Sequence, residues 1–504
     1  MTSYMFAIVG VVLVLWIVAW TLPSMRARQA LLLLASYLFY SIWGLGFLSI
    51  LVASSLLNFT WGAVLRRRMT SGCLWLGVGL NIVLLGFFKY LPPILETIGT
   101  SSWHLDLARH ILMPVGISFW TFQGLSYLFD TYREEEMEPS LLEFCLYMAF
   151  WPVVFAGPVC RMPEMLPQFR RQPVFSWSDV SEGSLRLIQG VFMKMFLAQL
   201  LVSGLVAGQG VGAGFDQMKS GWGALDIWLL GIGFGFLLFF DFAGYSNIVI
   251  GTARLFGIQL PENFDRPFLS KTPSIFWTRW HMSLSSWIRD YVFVPLAAAS
   301  RNRRWPYAVF IIAMTLFGLW HAAKWTFILW GIYHGLILVM HRVGQQLKRK
   351  HQLTMPPRLG AFLAWAATFF VVSLGWVFFR ANSLTEALTM FGTVFNPAAY
   401  GHLGMPRNFY ILMLIIIVAY FAYDGAHSIL MSWAGAYKAT SSGAWPLRGL
   451  EGLRLNTGGL FNFFYNSLWW WFAPTVAILT AFIGIAMHQQ SAIISVTPFI
   501  YTLF

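Results

Sequence analysis

A histidine ends the tripeptide Leu319-Trp320-His321 inside one of the most apolar stretches of the chain, and a second, His281, lies 40 residues upstream in an aromatic-rich segment. In a membrane interior a titratable ring costs free energy unless it has a partner or a task, so such a residue is a functional candidate by default. Imidazole suits proton transfer because its unperturbed pKa of about 6.5 lies close to working pH. The two rings therefore point to proton-transfer chemistry inside a bilayer. Around His321 the neighbours Phe317, Gly318, Leu319 and Trp320 offer no water, which favours a functional reading. For His281 taken alone, an interfacial ring bonded to a backbone carbonyl explains the sequence slightly better. His334 and His341, seven residues apart, fall on one helix face.

Other polar groups interrupt the apolar pattern. Asp241 and Tyr245, within Phe240-Asp241-Phe242-Ala243-Gly244-Tyr245-Ser246-Asn247, share a helix face, and a hydrogen bond between them would offset burial. A polar network that only joins helices explains that segment equally well. Phe150-Trp151-Pro152 with Gly157-Pro158-Val159 and Arg161 reads as a proline-set helix end with a snorkelling arginine. The three cysteines, Cys73, Cys145 and Cys160, lack metal-site spacing and read as small apolar side chains, so no metal is expected.

The elements that must position these groups are transmembrane. With 58% hydrophobic and 11% charged residues, and a mean hydropathy of +0.65, no water-facing shell could be built, which excludes an ordinary soluble domain. The 37 residues from Gln29 to Leu65 carry no charge, enough for two crossings of about 20 residues each. Tyr4 to Leu22 lacks a basic n-region and a small-residue cleavage site, so it is expected to be a retained first span. The net charge of +13 would suggest nucleic acid in a soluble protein. Here Arg26, Arg28, Arg66 to Arg68, Arg301, Arg303, Arg304 and Lys348 to Lys350 instead punctuate apolar runs. Such clusters set topology and contact anionic lipid, so membrane lipid and not nucleic acid is the expected partner. The rule puts the N-terminus outside and the early arginines in the cytoplasm.

Several apolar segments are short or broken by Gly and Pro, and broken backbone survives at membrane depth only when other protein covers it. The expected fold is all-α: one polytopic membrane domain over 1–504, with about 11 to 13 membrane-embedded helices, some re-entrant, around a central funnel or tunnel. A helix capped by Thr272 and started by Pro273 is expected to carry Trp277, Trp280, His281, Leu284 and Ile288 on one face. The segment from 144 to 160 is read as an apolar element, Tyr423 to Gly459 as a loop, and 468 to 488 as a last apolar run. No internal repeat is visible.

The motifs in order resemble the membrane-bound O-acyltransferase family, and most closely its bacterial branch, which acetylates exported polysaccharides such as alginate or transfers D-alanine to teichoic acid. The resemblance is carried by Pro114-Val115-Gly116-Ile117-Ser118-Phe119 through Tyr127 and Asp130, by Phe150 to Arg161, by Phe240 to Asn247, and by Glu262-Asn263-Phe264 with Arg266-Pro267-Phe268. It continues in Phe276-Trp277, Arg279-Trp280-His281 through Arg289-Asp290-Tyr291, Gly318-Leu319-Trp320-His321, Tyr333-His334-Gly335 and Gly375 to Ala381, spanning about residues 110 to 385. One departure is Ala322, where many relatives have Gly; its methyl bears on acyl size.

The resemblance implies that His321 is the catalytic base and His281 a second catalytic position that orients the thioester or hydrogen-bonds its carbonyl. Trp280, Trp320, Asp241 and Tyr245 are expected to meet substrate, as are Asn247, Arg289, Asp290 and His334. It implies no tightly bound cofactor, a cytoplasmic thioester donor such as acetyl-coenzyme A or an acyl carrier protein, and residence in a bacterial cytoplasmic (inner) membrane. The final acceptor would be an exported polysaccharide, reached through an extracytoplasmic partner transferase. Arg301, Arg303 and Arg304 could steer an acidic carrier, although topology setting explains them equally well. With no Ser or Cys beside His321, direct transfer is preferred to an acyl-enzyme. The competing readings are D-alanyl transfer, a proton-coupled flippase for a lipid-linked saccharide, which inverted repeats would favour, and a scaffold without catalysis.

Overall fold

In lipid an α-helix satisfies its own backbone hydrogen bonds, and a chain this apolar without strand-like alternation has little alternative. A computed structural model of the protein describes residues 2–98, 102–134, 137–172, 174–206, 208–217, 221–352 and 355–441. These residues are helical with no strand, apart from one isolated bridge between Phe264 and Trp280. Among the described residues six helices are long and apolar enough to cross a membrane: Leu45–Arg68, Ser71–Lys89, Trp177–Ser203, Ala224–Leu255, Trp325–Lys350 and Pro357–Arg380. Three shorter apolar helices, Gly10–Thr21, Trp305–His321 and Arg407–Tyr423, accompany them. The protein is thus an all-α, multi-pass membrane protein.

Ala224–Leu255 is the axis of the molecule. Its most apolar stretch is 89% buried, as expected for a helix that is hydrophobic all round and enclosed by protein. Glycines let Trp177–Val191 lie directly against it: a Cβ on Gly190 would fall 2.5 Å from the Gly244 carbonyl oxygen, and one on Gly251 2.6 Å from that of Gly183. Small residues at such crossings replace the hydrophobic drive that lipid cannot supply. On the N-terminal side, Ile117–Tyr132 is almost wholly buried between Leu45–Arg68 and Ser71–Lys89. Asn58 and Asn81 join those two outer helices by reciprocal amide hydrogen bonds of 3.1 and 2.9 Å.

Trp305–His321 and Trp325–Lys350 form the hairpin that presents His321. A Cβ on Gly318 would sit 2.1 Å from the Phe327 carbonyl oxygen, and one on Gly331 2.3 Å from that of Met314. The helices therefore touch backbone to backbone, and the short 322–324 connection leaves His321 as the last helical residue.

One expectation holds and two need correction. The segment at 144–160, expected to be broken by its prolines, is helical only over Leu141–Ala149. Pro152, Pro158 and Gly157 (φ +116°) break it into a buried irregular segment, held by Trp151 N–H donating to Ser36 Oγ at 3.0 Å and Val159 N–H to Ser283 Oγ at 2.9 Å. The helix expected to run on from Pro273 does start there, with Thr272 Oγ1 accepting from Ile275 N–H at 3.1 Å, but it ends at Arg279. His281 adopts a left-handed conformation (φ +44°) and a new helix, Met282–Ile288, follows it. The break exists because residues 263–265 pair with it: Asp265 N–H donates to Arg279 C=O at 3.0 Å and Met282 N–H to Asn263 C=O at 2.9 Å. Finally, Tyr423 to Ser441 continues the helix Arg407–Ser441 and is not a loop. The remainder of that expected loop and the apolar run from 468 to 488 lie outside the described residues.

Candidate active site

His321 is only 6% exposed and is enclosed by aromatic rings from three helices. Its ring centroid lies 5.1 Å from Phe317, 4.7 Å from Trp320, 5.5 Å from Trp330 and 4.9 Å from Phe379. A ring so confined, at a helix end where the chain turns, is held in place by packing. Among the ionisable groups whose charges reach it are Lys89 and His281.

His281 is brought in by the broken-helix motif rather than by a helix face. Among the described residues neither ring nitrogen has a hydrogen-bond partner, and the ring meets Phe242 edge-on at 4.5 Å. The described residues therefore hold no carbonyl partner of the kind expected from sequence. A buried polar relay fixes the backbone beside it: Ser283 Oγ donates to Asn263 Oδ1 at 2.6 Å and Asn263 Nδ2 to Ser246 Oγ at 3.1 Å. Asn263, Ser246 and Ser283 were not expected as positioning residues, although Asn263 lies in the Glu262-Asn263-Phe264 motif and Ser246 in the Phe240 to Asn247 motif. Neighbouring Trp280 packs on Trp376 at 4.9 Å and Phe264 at 5.2 Å.

His334 has no exposed surface, and its nitrogens also have no hydrogen-bond partner among the described residues. It sits 5.2 Å from Trp277 and 4.9 Å from Trp330, the ring it shares with His321. The absence of a side chain at Gly375 makes room for it, since a Cβ there would lie 2.7 Å from His334 Nε2. His341, by contrast, is half-buried and bonds Ser274 Oγ at 3.2 Å and Gln345 Nε2 at 3.2 Å.

Asp241 does not pair with Tyr245. Its Oδ1 instead binds Lys194 from the π-helical turn Phe192–Ala198, because the close packing of Gly190 and Gly244 brings those helices together there. Asn247 accepts from Arg186 at 3.2 Å, and Arg186 also clasps Glu262. Asp241 and Asn247 thus tie the axial helix to its neighbour, while Phe242 between them touches His281.

Arg161 does not snorkel. It pairs with Asp290 at 2.9 Å, donates to Ser286 Oγ at 3.2 Å and lies 5.0 Å over the Tyr291 ring. Asp290 is shared with Arg289 at 2.7 Å. Partial burial would raise its carboxyl, but the two arginines outweigh that and hold it below the usual carboxylate range. The cluster connects to the histidine by a chain of tilted ring contacts, Tyr291 to Trp287 at 5.2 Å, Trp287 to Phe122 at 4.4 Å and Phe122 to Trp320 at 5.4 Å. Arg301, Arg303 and Arg304 are exposed.

The residue most clearly missed from sequence is Lys89. It is 8% exposed, donates to Ser118 Oγ at 3.3 Å and stands 4.9 Å from the Trp320 ring centroid. Its signal was available, since it is the lone cation of the apolar run from 73 to 91.

A multi-pass helical protein that encloses a histidine in aromatic rings, beside a second histidine and a buried cation, has the make-up of an intramembrane group-transfer enzyme. The sequence pattern of MBOAT, the membrane-bound O-acyltransferase family, matches residues 56–383, and the chain belongs to that family; it is an acyltransferase. It is similar to the probable alginate O-acetylase AlgI of Pseudomonas putida, at 35% identity over 74% of this chain and 76% of that protein. The peptidoglycan O-acetyltransferase of Helicobacter pylori is 33% identical over 71% of this chain and 72% of its own length. The teichoic acid D-alanyltransferase of Streptococcus thermophilus is 34% identical over 51% and 62%.

Proposed function

We propose that this protein takes an acyl group, most simply acetyl, from a cytoplasmic thioester and passes it across the bacterial inner membrane for O-acylation of an exported cell-surface glycan. His321 is the base that removes the proton of the acceptor hydroxyl. The observation that carries the reading is the enclosure of this one imidazole by Phe317, Trp320, Trp330 and Phe379 at a helix end. Packing of that kind keeps a general base oriented and its surroundings poor in water, which is what proton abstraction from an alcohol requires. His281, held in its left-handed turn by the Asn263 backbone, orients the thioester.

Acetyl rather than D-alanyl transfer is supported by the extent of similarity. The acetylating relatives match this chain over 71% and 74%, and the Streptococcus D-alanyltransferase over 51%. The donor is acetyl-coenzyme A or an acyl carrier protein, and the acyl group reaches the glycan through an extracytoplasmic transferase. The test is mass spectrometry of the surface glycan from cells with the wild-type gene, without it, and with His321→Ala. O-acetyl groups are expected only with the wild type; acylation that persists with His321→Ala would overturn the reading, and D-alanyl esters would redirect it.

A further inference from the structure

Lys89 ends the helix Ser71–Lys89, and Tyr90, the next residue, donates its hydroxyl to the Leu319 carbonyl at 3.1 Å. That bond fastens the helix end to the turn that carries Trp320 and His321. The ammonium lies over Trp320, and its charge reaches His321. Although it is almost fully buried, it forms no ion pair with any carboxylate among the described residues, and its one hydrogen-bond partner is the neutral Ser118 hydroxyl. By contrast, Lys194, which is only partly buried, has Asp241 as its counter-charge. Burying a cation without a counter-charge is unfavourable, and a protein keeps such a group where negative charge arises during its work. At 4.9 Å from the Trp320 ring centroid the side-chain nitrogen stands at cation–π distance, a placement that favours its charged form.

Acyl transfer creates a negative charge beside residue 321. We propose that the Lys89 ammonium is the oxyanion-stabilising group of the reaction, facing the thioester carbonyl oxygen while His321 takes the acceptor's proton. The inference rests on the acyl-transfer reading of His321. As the acceptor oxygen attacks, the new C–O bond forms and its proton passes to His321, while the carbonyl π pair moves to oxygen opposite Lys89. Return of that pair breaks the C–S bond, and the departing sulfur takes the proton from His321 and leaves as a thiol. Lys89 exchanges no proton in this scheme, so its contribution is electrostatic, of the kind that preorganised donors supply in a dry site.

The test uses the full chain in living cells, where the natural donor is present, and reads the rate at which O-acyl groups appear on the surface glycan after induction. Lys89→Met keeps the length and the apolar contact with Trp320; Lys89→Arg keeps the charge. With protein levels matched, Lys89→Met is expected to lower the rate by about 100-fold or more, the effect of losing one oxyanion donor, with Lys89→Arg at least about tenfold faster than Lys89→Met. A smaller loss in Lys89→Met, or equal loss in both variants as a packing role would give, overturns the proposal. His321→Ala run in parallel separates the two ideas. If it acylates at the wild-type rate the acyl-transfer reading itself fails, whereas an inactive His321→Ala beside an active Lys89→Met refutes only the role of Lys89.

Discussion

Gly318→Ala isolates the link between hairpin packing and catalysis. A Cβ at this position would lie 2.1 Å from the Phe327 carbonyl oxygen and 3.0 Å from its carbon. That oxygen belongs to the backbone of Trp325–Lys350 and cannot swing away as a side chain would. To restore an ordinary contact of 3.4 Å the two helices must part by about 1.3 Å. His321 lies three residues on, on the same helix face, so the displacement is passed to the imidazole and to the Phe327 and Trp330 rings around it. Overpacking costs about 1–3 kcal/mol, against about 1 kcal/mol gained by replacing a helical glycine with alanine. The expected result is a modest loss of thermal stability and, because a misplacement of about 1 Å at a reacting group costs about 100-fold, a much larger loss of rate. Gly344→Ala in the same hairpin is the control, since nothing lies within 4 Å of its Cβ. The assay is acyl appearance on the glycan, paired with melting of the purified protein in detergent. Gly318→Ala with wild-type rate and melting would refute the claim that this backbone contact positions the base.

Lys194→Met leaves Asp241 buried without its cation and is expected to destabilise the protein by about 3–5 kcal/mol, whereas Lys194→Met combined with Asp241→Leu recovers most of the loss; melting temperatures check both. Glu143 caps Leu141–Ala149 through Ser140 and pairs with Arg170 at 2.8 Å. Burial opposes its ionisation, yet Arg170 and Ser140 hold its carboxyl below the usual glutamate value. A depressed carboxylate contributes stability above its unfolded pKa of about 4.3 and loses it as pH falls through the folded value. The stability advantage of wild type over Glu143→Gln should therefore be full at neutral pH, start to fall near the unfolded value of about 4.3 and be lost only as pH passes the lower folded value, as read by melting across an acid series.

Much of the fold was legible because lipid leaves the backbone few choices: the long charge-free runs became helices, and Thr272 with Pro273 marked a helix start where one exists. The failures share a cause. The end of that helix at Arg279 is set by pairing with residues 263–265, a contact between separate segments that no helical period reveals. Arg161 read as an isolated polar group because its partner, Asp290, lies 129 residues away, and Asp241 could be assigned to a helix-joining network but not to Lys194, 47 residues before it. Local patterning likewise suggested Tyr245 for Asp241, the i, i+4 neighbour, where tertiary packing supplied Lys194. At the site, His321 was conspicuous as a polar ring in an apolar run. Lys89 carried the same signal, but its meaning depended on Trp320, 231 residues away.

The central claim is that the imidazole at 321 removes the acceptor's proton. Its most direct test is the rate of O-acylation by His321→Ala relative to wild type, at equal abundance and with melting of the two proteins compared. The account predicts a loss of about 10²- to 10⁴-fold, the contribution of a positioned general base, with melting preserved. A rate within about threefold of wild type would contradict it.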